Sequence, residues 1–229
     1  MNTWIKVGRY HLTNRLILWI PWAALAFSLA INLVIFAAVP DSAVPTPHTW
    51  GIATIFVFLF ISGLFSSTRL LPFALALGLT RRAYFIGTAL FDLALAAVDG
   101  LGLTLLQALE RGTGGWGENV NFFRVPWILD GPWYLTWLTS FVLLALVFVY
   151  GIWYGLVYRR WNLIGLLAFG AAQVTVVAAV AVIATWTHTW GDLGDFFGTL
   201  SAAGFTGVLA VLVAVLLAGG FSTMRRVTV

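Results

Sequence analysis

Polarity along this chain varies on a coarse scale. Six long apolar runs, at 16–39, 50–67, 83–109, 133–157, 163–187 and 197–221, are separated by short stretches of polar and turn-forming residues. About 20 apolar residues are needed for a helix to cross the ~30 Å hydrocarbon layer of a bilayer, and each run is near or beyond that length. Lipid offers no partner to a backbone N–H or C=O, so runs of this kind predict α-helices. The expected fold is an all-α polytopic membrane protein with six transmembrane helices, forming one domain over 1–229.

The connections carry their own signals. Residues 1–15 set Trp4, Ile5 and Leu12 among Lys6, Arg9, His11 and Arg15 at helical spacing, which predicts an amphipathic helix in the headgroup region. The first run is longer than the 7–15 residues of a signal-peptide core, so a retained anchor is expected. Gly112 to Gly117 and the turn Asp130-Gly131-Pro132 bound a longer outer segment, whereas His188, Asp192 and Asp195 fall in a short one. The segment 69–82 is too brief and too interrupted to cross. Pro72 suits the first turn of a new short helix, because that position needs no N–H donor. Thr68 or the Ser66-Ser67 pair could cap its start, and Gly78 could close it through a left-handed turn. A short helix at one membrane face is therefore expected between the second and third runs, presenting Arg81 and Arg82.

Composition sharpens this picture. The chain is 61% hydrophobic and 9% charged, with a mean hydropathy of +0.98, against ~25% charged in soluble domains. The net charge of +4 does not point to nucleic acid, because the basic residues lie in the short connections. Lys6, Arg9, Arg15, Arg69, Arg81, Arg82, Arg159, Arg160, Arg225 and Arg226 fall on one side and only Arg111 and Arg124 on the other. The basic side is the cytoplasmic one by the positive-inside rule, with both termini there. No cysteine is present, and His11, His48 and His188 are too far apart in this topology for a shared metal site. The glycine-rich run at 112–117 lacks the Lys-Ser/Thr ending of a phosphate loop, so no cofactor is expected on this chain.

Two internal features stand out. At 100° per residue, Thr88, Asp92, Ala96, Asp99, Leu103, Gln107 and Glu110 share one face of the third run. Acids in hydrocarbon must face protein or a water-filled cavity. With no Lys or Arg inside any run, neutral partners such as Ser28, Asn32 or Gln173 are expected. Interhelical hydrogen bonding, the lining of a polar path and a proton relay all remain open for Asp92 and Asp99. Gly151 and Gly155 form a small-xxx-small pair that lets another helix approach closely.

Several stretches resemble a known family. They are Gly8-Arg-Tyr-His-Leu-Thr-Asn-Arg15, Leu71-Pro-Phe-Ala-Leu-Ala-Leu-Gly-Leu-Thr-Arg-Arg-Ala-Tyr84, Phe122 to Tyr134, and Tyr150 to Trp161. With six runs and no ATPase motif, the chain resembles the permease subunit of an ABC transporter. More narrowly, it looks like the small six-span type-2 exporter permeases of actinobacteria. The resemblance implies a transport subunit, not an enzyme, in the bacterial plasma membrane. It implies two copies of a separate ATPase subunit that bind ATP and magnesium, and a second permease copy or paralogue. Residues 1–15 would be the connecting helix and 69–82 the coupling segment docked on the ATPase through Pro72, Gly78, Arg81 and Arg82. The class places outer re-entrant helices between spans 5 and 6, where this chain has a connection expected to be short. A proton-coupled transporter using Asp92 and Asp99, and a non-transporting assembly or sensing subunit, are the alternatives.

Overall fold

The computed structural model describes residues 15–38, 51–125, 128–129 and 131–224. The amphipathic helix expected over 1–15 lies outside these residues apart from Arg15, as do Arg225 and Arg226. The described chain is helical, with no β-strand among the described residues. In order it forms α1 (Arg15–Ala37), α2 (Ala53–Phe65), a π-helical turn (Ser66–Leu70), α3 (Leu71–Ala76), α4 (Arg81–Gly112), a second tight turn (Gly115–Asn119), α5 (Trp133–Trp186), α6 (Trp190–Thr199) and α7 (Ala202–Met224). Among the described residues five helical stretches are long and apolar enough to cross a membrane: Leu18–Ala37, Ala53–Ala76, Arg81–Gly112, Trp133–Trp186 and Ala202–Met224.

Six apolar runs become five helical stretches because two of them join in α5. Its 54 residues would reach about 80 Å if straight. Asn162 breaks the helix with φ 54° and ψ −154°. The Tyr150 hydroxyl donates to the side-chain carbonyl of Gln173, Tyr154 reaches the same oxygen at 3.1 Å, and the Tyr154 and Phe169 rings meet edge to face at 5.1 Å. These pairs are symmetric about the break, so α5 is an antiparallel hairpin. Its first half is built into the core. In its second half Ala184 is the one buried residue among those described.

Contacts between helices fix their relative directions. Gly63 lies against Phe148 and Ile152, Gly151 against Phe60 and Leu64, and Gly155 against Leu64 and Ser67, so α2 runs parallel to the first half of α5. The Thr139 and Thr206 hydroxyls, 2.6 Å apart, and the bond from the Trp153 indole to the Leu216 carbonyl at 3.0 Å align α7 with both. α4 runs the other way: Tyr84 and Phe85 pack near Ile152 and Leu156, whereas Leu103 packs with Val142.

The turn between α2 and α4 differs from the expectation. No break precedes the short helix, because the π-helical turn carries α2 straight into α3. Ser66, Ser67 and Thr68 therefore cap nothing; the Thr68 hydroxyl donates back to the Leu64 carbonyl at 2.8 Å. Tyr84 pins the π turn from α4, donating to the Ser66 carbonyl at 2.8 Å while lying 3.0 Å from the Ser66 hydroxyl. Pro72 occupies the first turn of α3. Gly78 takes φ +81°, and the Gly78 and Leu79 N–H groups bond back to Leu75 at 2.9 Å and Ala74 at 3.1 Å. This is the glycine-closed helix end in which two orphan carbonyls are satisfied at once. Thr80 then opens α4, its hydroxyl accepting from Ala83 N–H at 3.2 Å. α4 thus begins at Arg81 rather than at 83.

The connection expected to be short between the last two runs holds a helix, the 10-residue α6. Asp192 sits in its first turn, where the helix dipole favours an acid. Leu200 is extended, and Ser201 caps α7 by accepting from Gly204 N–H at 3.1 Å. The last long helix therefore starts at Ala202 rather than at 197.

The segment after α4 folds back into the bundle around one carboxylate. Glu110 is 1% exposed. Its Oε2 accepts from the Trp116 indole at 3.0 Å and from the Phe122 and Phe123 backbone N–H groups at 3.0 and 2.9 Å, and its Oε1 from Arg124 N–H at 3.1 Å. Gly114, Gly115 and Gly117 supply the left-handed backbone that the reversal needs, and Trp116 shares it at φ 63°. The glycine-rich run is thus a latch around an acid. Phe122 and Phe123 join Leu25, Ile52 and Ile55 in one buried cluster as a result, and Val120 is fully buried. Glu110→Leu leaves several buried donors unpaired, at about 1–3 kcal/mol each. We expect a marked fall in thermal stability in detergent and tryptic cleavage at Arg124 that the wild-type protein resists, with Glu110→Gln intermediate. Wild-type melting and cleavage in Glu110→Leu would show that the latch contributes nothing.

Candidate functional site

The polar stripe of α4 lies inward as a unit. Thr88, Asp92, Ala96, Asp99, Leu103, Gln107 and Glu110 are all buried. Their partners separate them into two groups. Toward the Glu110 end the groups are bonded: Gln107 donates to the Leu129 carbonyl, and the Thr104 hydroxyl to the Gly100 carbonyl at 2.8 Å. Asp99 accepts from the Trp22 indole at 2.9 Å. A side chain at Gly102, one turn on, would collide with the Trp22 ring, so that glycine makes room for the indole. Toward the α3 end no such bonds are made. Both Asp92 oxygens and the Thr88 hydroxyl are buried with no hydrogen-bond partner among the described residues.

Two of the partners expected for the acids, Asn32 and Gln173, are engaged elsewhere. Asn32 donates to the Ser28 carbonyl at 2.8 Å, and Gln173 serves the two tyrosines of the α5 hairpin. The partner of Asp99 is an indole, a donor not among the partners expected for it. Tryptophan recurs in this role. Trp137 donates to the Ala97 carbonyl at 3.0 Å and Trp153 to that of Leu216. Of the aromatic residues at the ends of the 133–157 run, Trp133, Tyr134 and Tyr158 are exposed, while Trp137 and Trp153 bind neighbouring helices. The signal available in the sequence was position: Trp22, Trp137 and Trp153 lie a turn or more inside the limits of their apolar runs.

The second candidate is the end of the bundle that carries α3. Arg69, Arg82 and Arg160 are exposed there, and Arg81 and Arg159 are half-buried and within electrostatic reach of each other. Arg69 lies over the Phe65 ring at 5.2 Å and Arg160 over Trp161 at 4.9 Å. Arg81 and Arg82 stand in the first turn of α4, not on α3. Cations at a helix N-terminus oppose its dipole by roughly 0.3–1 kcal/mol each. The sequence places no Asp or Glu in any segment at this end.

Gly151 and Gly155 join these regions. A Cβ on Gly151 would lie 3.1 Å from the Leu64 N–H and closer still to the Phe60 carbonyl; one on Gly155 would meet Ser67 at 2.6 Å. Gly63 reciprocates from α2, against the Phe148 carbonyl and the Ile152 N–H. The pair therefore serves a contact within the chain. Among the described residues no group of three or more potential metal ligands is found.

No protein-family model matches the chain, and neither a curated protein nor a solved structure matches it.

The two halves of the stripe predict opposite responses to an apolar substitution. Gln107→Leu strands the Leu129 carbonyl and should destabilise by about 1–3 kcal/mol. Asp92→Leu removes a carboxyl that holds nothing, and its thermal unfolding in detergent should match or exceed that of the wild type. A large loss of stability in Asp92→Leu would reveal a structural role for that acid.

Proposed function

We propose that the chain is the membrane-spanning permease subunit of an ATP-driven ABC exporter of hydrophobic or amphipathic compounds. It crosses the bacterial plasma membrane six times, with the two halves of α5 as separate spans and both termini cytoplasmic. Two copies of a separate ATPase subunit, carrying ATP and magnesium, dock at the α3 end, and a second permease copy or paralogue completes the path.

The observation that carries this reading is the elbow between α2 and α4. It is short, closed by Gly78, pinned by Tyr84 and followed at once by two arginines in a helix turn that electrostatics disfavours. An elbow of this build suits rigid docking against a partner rather than a flexible connection. The arginines, with Arg159 and Arg160, form a basic surface that an acidic groove on an ATPase would complement. The helix α6 lies where the resemblance implies outer re-entrant helices. A second reading, proton-coupled transport without ATP, is favoured by the unpartnered Asp92 alone; uptake or efflux in vesicles lacking nucleotide would mark it.

The docking role is tested by Arg81→Gln with Arg82→Gln, which removes charge without reversing it. Co-purification of the partner ATPase, co-expressed with this chain, should fall at least tenfold while membrane insertion persists. Undiminished co-purification would overturn the docking role.

A further inference from the structure

Asp99 is the meeting point of two cavities. One, of about 470 Å³, lies between α1 and α4, with Trp19, Trp22 and Phe91 in its wall. The other, of about 240 Å³, lies among α1, α2 and α4, with Pro21, Phe58 and Phe65 in its wall. Leu18, Leu95 and Asp99 line both. The walls are almost wholly carbon, and in each the Asp99 carboxyl is the only ionisable group among the described residues. Asp99 is 4% exposed, and its Oδ1 is held by the Trp22 indole. That bond holds the carboxyl at the edge of the indole ring while leaving the group in the wall of both spaces.

Such a site has a definite chemical preference. Apolar walls remove hydrophobic surface from water without selecting charge. A single buried carboxylate in a medium of low dielectric favours one positive charge and disfavours an anion. An indole face adds attraction for a cation, most of all for one too diffuse to demand hydrogen bonds. No Lys or Arg lies inside the apolar runs around it to neutralise the acid.

We propose that the paired cavities around Asp99 bind a lipophilic monocation, its charge against the Asp99 carboxylate and the Trp22 ring and its apolar bulk beside Leu18 and Leu95. This names a substrate class for the export reading and rests on that reading only for its part in transport. Binding to the purified chain requires no ATPase, so loss of ATPase docking would sink export and leave this site standing.

The test is equilibrium binding of labelled tetraphenylphosphonium to the purified full chain in detergent. Tetraphenylborate, of the same shape and opposite charge, serves as the control. The expected result is saturable binding of the cation at one site per chain, without saturable binding of the anion. Asp99→Asn, which keeps an acceptor for Trp22, should weaken the cation at least tenfold. Leu95→Trp, which fills the shared wall but keeps the charge, should weaken it similarly. Equal binding of cation and anion would mean that the cavities take up any greasy molecule, lipid chains included, and would overturn the proposal. So would wild-type affinity in a correctly folded Asp99→Asn. Should that variant not fold, wild-type affinity in Leu95→Trp would overturn it equally.

Discussion

The carboxylate of Glu110 organises one end of this protein because nothing else can satisfy the groups around it. A chain that leaves a helix and folds back among apolar helices exposes successive backbone donors in a setting without water. Each unpaired donor there would cost on the order of a hydrogen bond. Glu110 meets three such N–H groups in sequence and an indole as well. That concentration lets an irregular segment bury Val120, Phe122 and Phe123 in the core. The same constraint explains the tryptophans. An indole combines a large apolar body with a single donor, so it can reach across an apolar interface and satisfy an acceptor there. Trp22, Trp137 and Trp153 each do this for a different pair of helices.

Much of the architecture was legible because hydrocarbon permits few alternatives. The apolar runs located the helices, and the periodicity of the third run identified the face that α4 buries, residue by residue. Gly78 was readable as a helix end because only glycine takes φ near +80° without strain. What escaped notice depended on tertiary partners. The continuity of α2 into α3 rests on Tyr84 holding the π turn, a contact across 18 residues of sequence. The role of Glu110 was hidden for the same reason: at the end of an apolar run it reads as an outer charge until the loop closes over it. α6 was missed because its Trp190, Phe196 and Phe197 blend into the next apolar run. The break at Asn162 falls in the gap between the runs 133–157 and 163–187, where a turn was expected, although helical geometry continues almost to the turn itself.

The distribution of charge gives the molecule two chemically distinct regions. At the α3 end, arginines gather with no acid from this chain's segments beside them, which suits contact with an acidic surface. Midway along α4, acids occur with no base among the surrounding runs, which suits a cationic guest. The two regions lie on one helix, since Arg81 and Asp99 are both residues of α4. The proposals of docking and of cation binding therefore concern two positions along a single structural element.

The glycine seam has a mechanical corollary. Where Gly63, Gly151 and Gly155 meet, main chain rests on main chain, with no side-chain rotamers between to absorb a displacement. The rod from Ala53 to Ala76 and the first half of α5 should consequently respond to force as one stiff body. A load applied near Pro72 would not be dissipated at the elbow; it would arrive at Thr139 and Thr206, where α5 meets α7, with little of its amplitude lost.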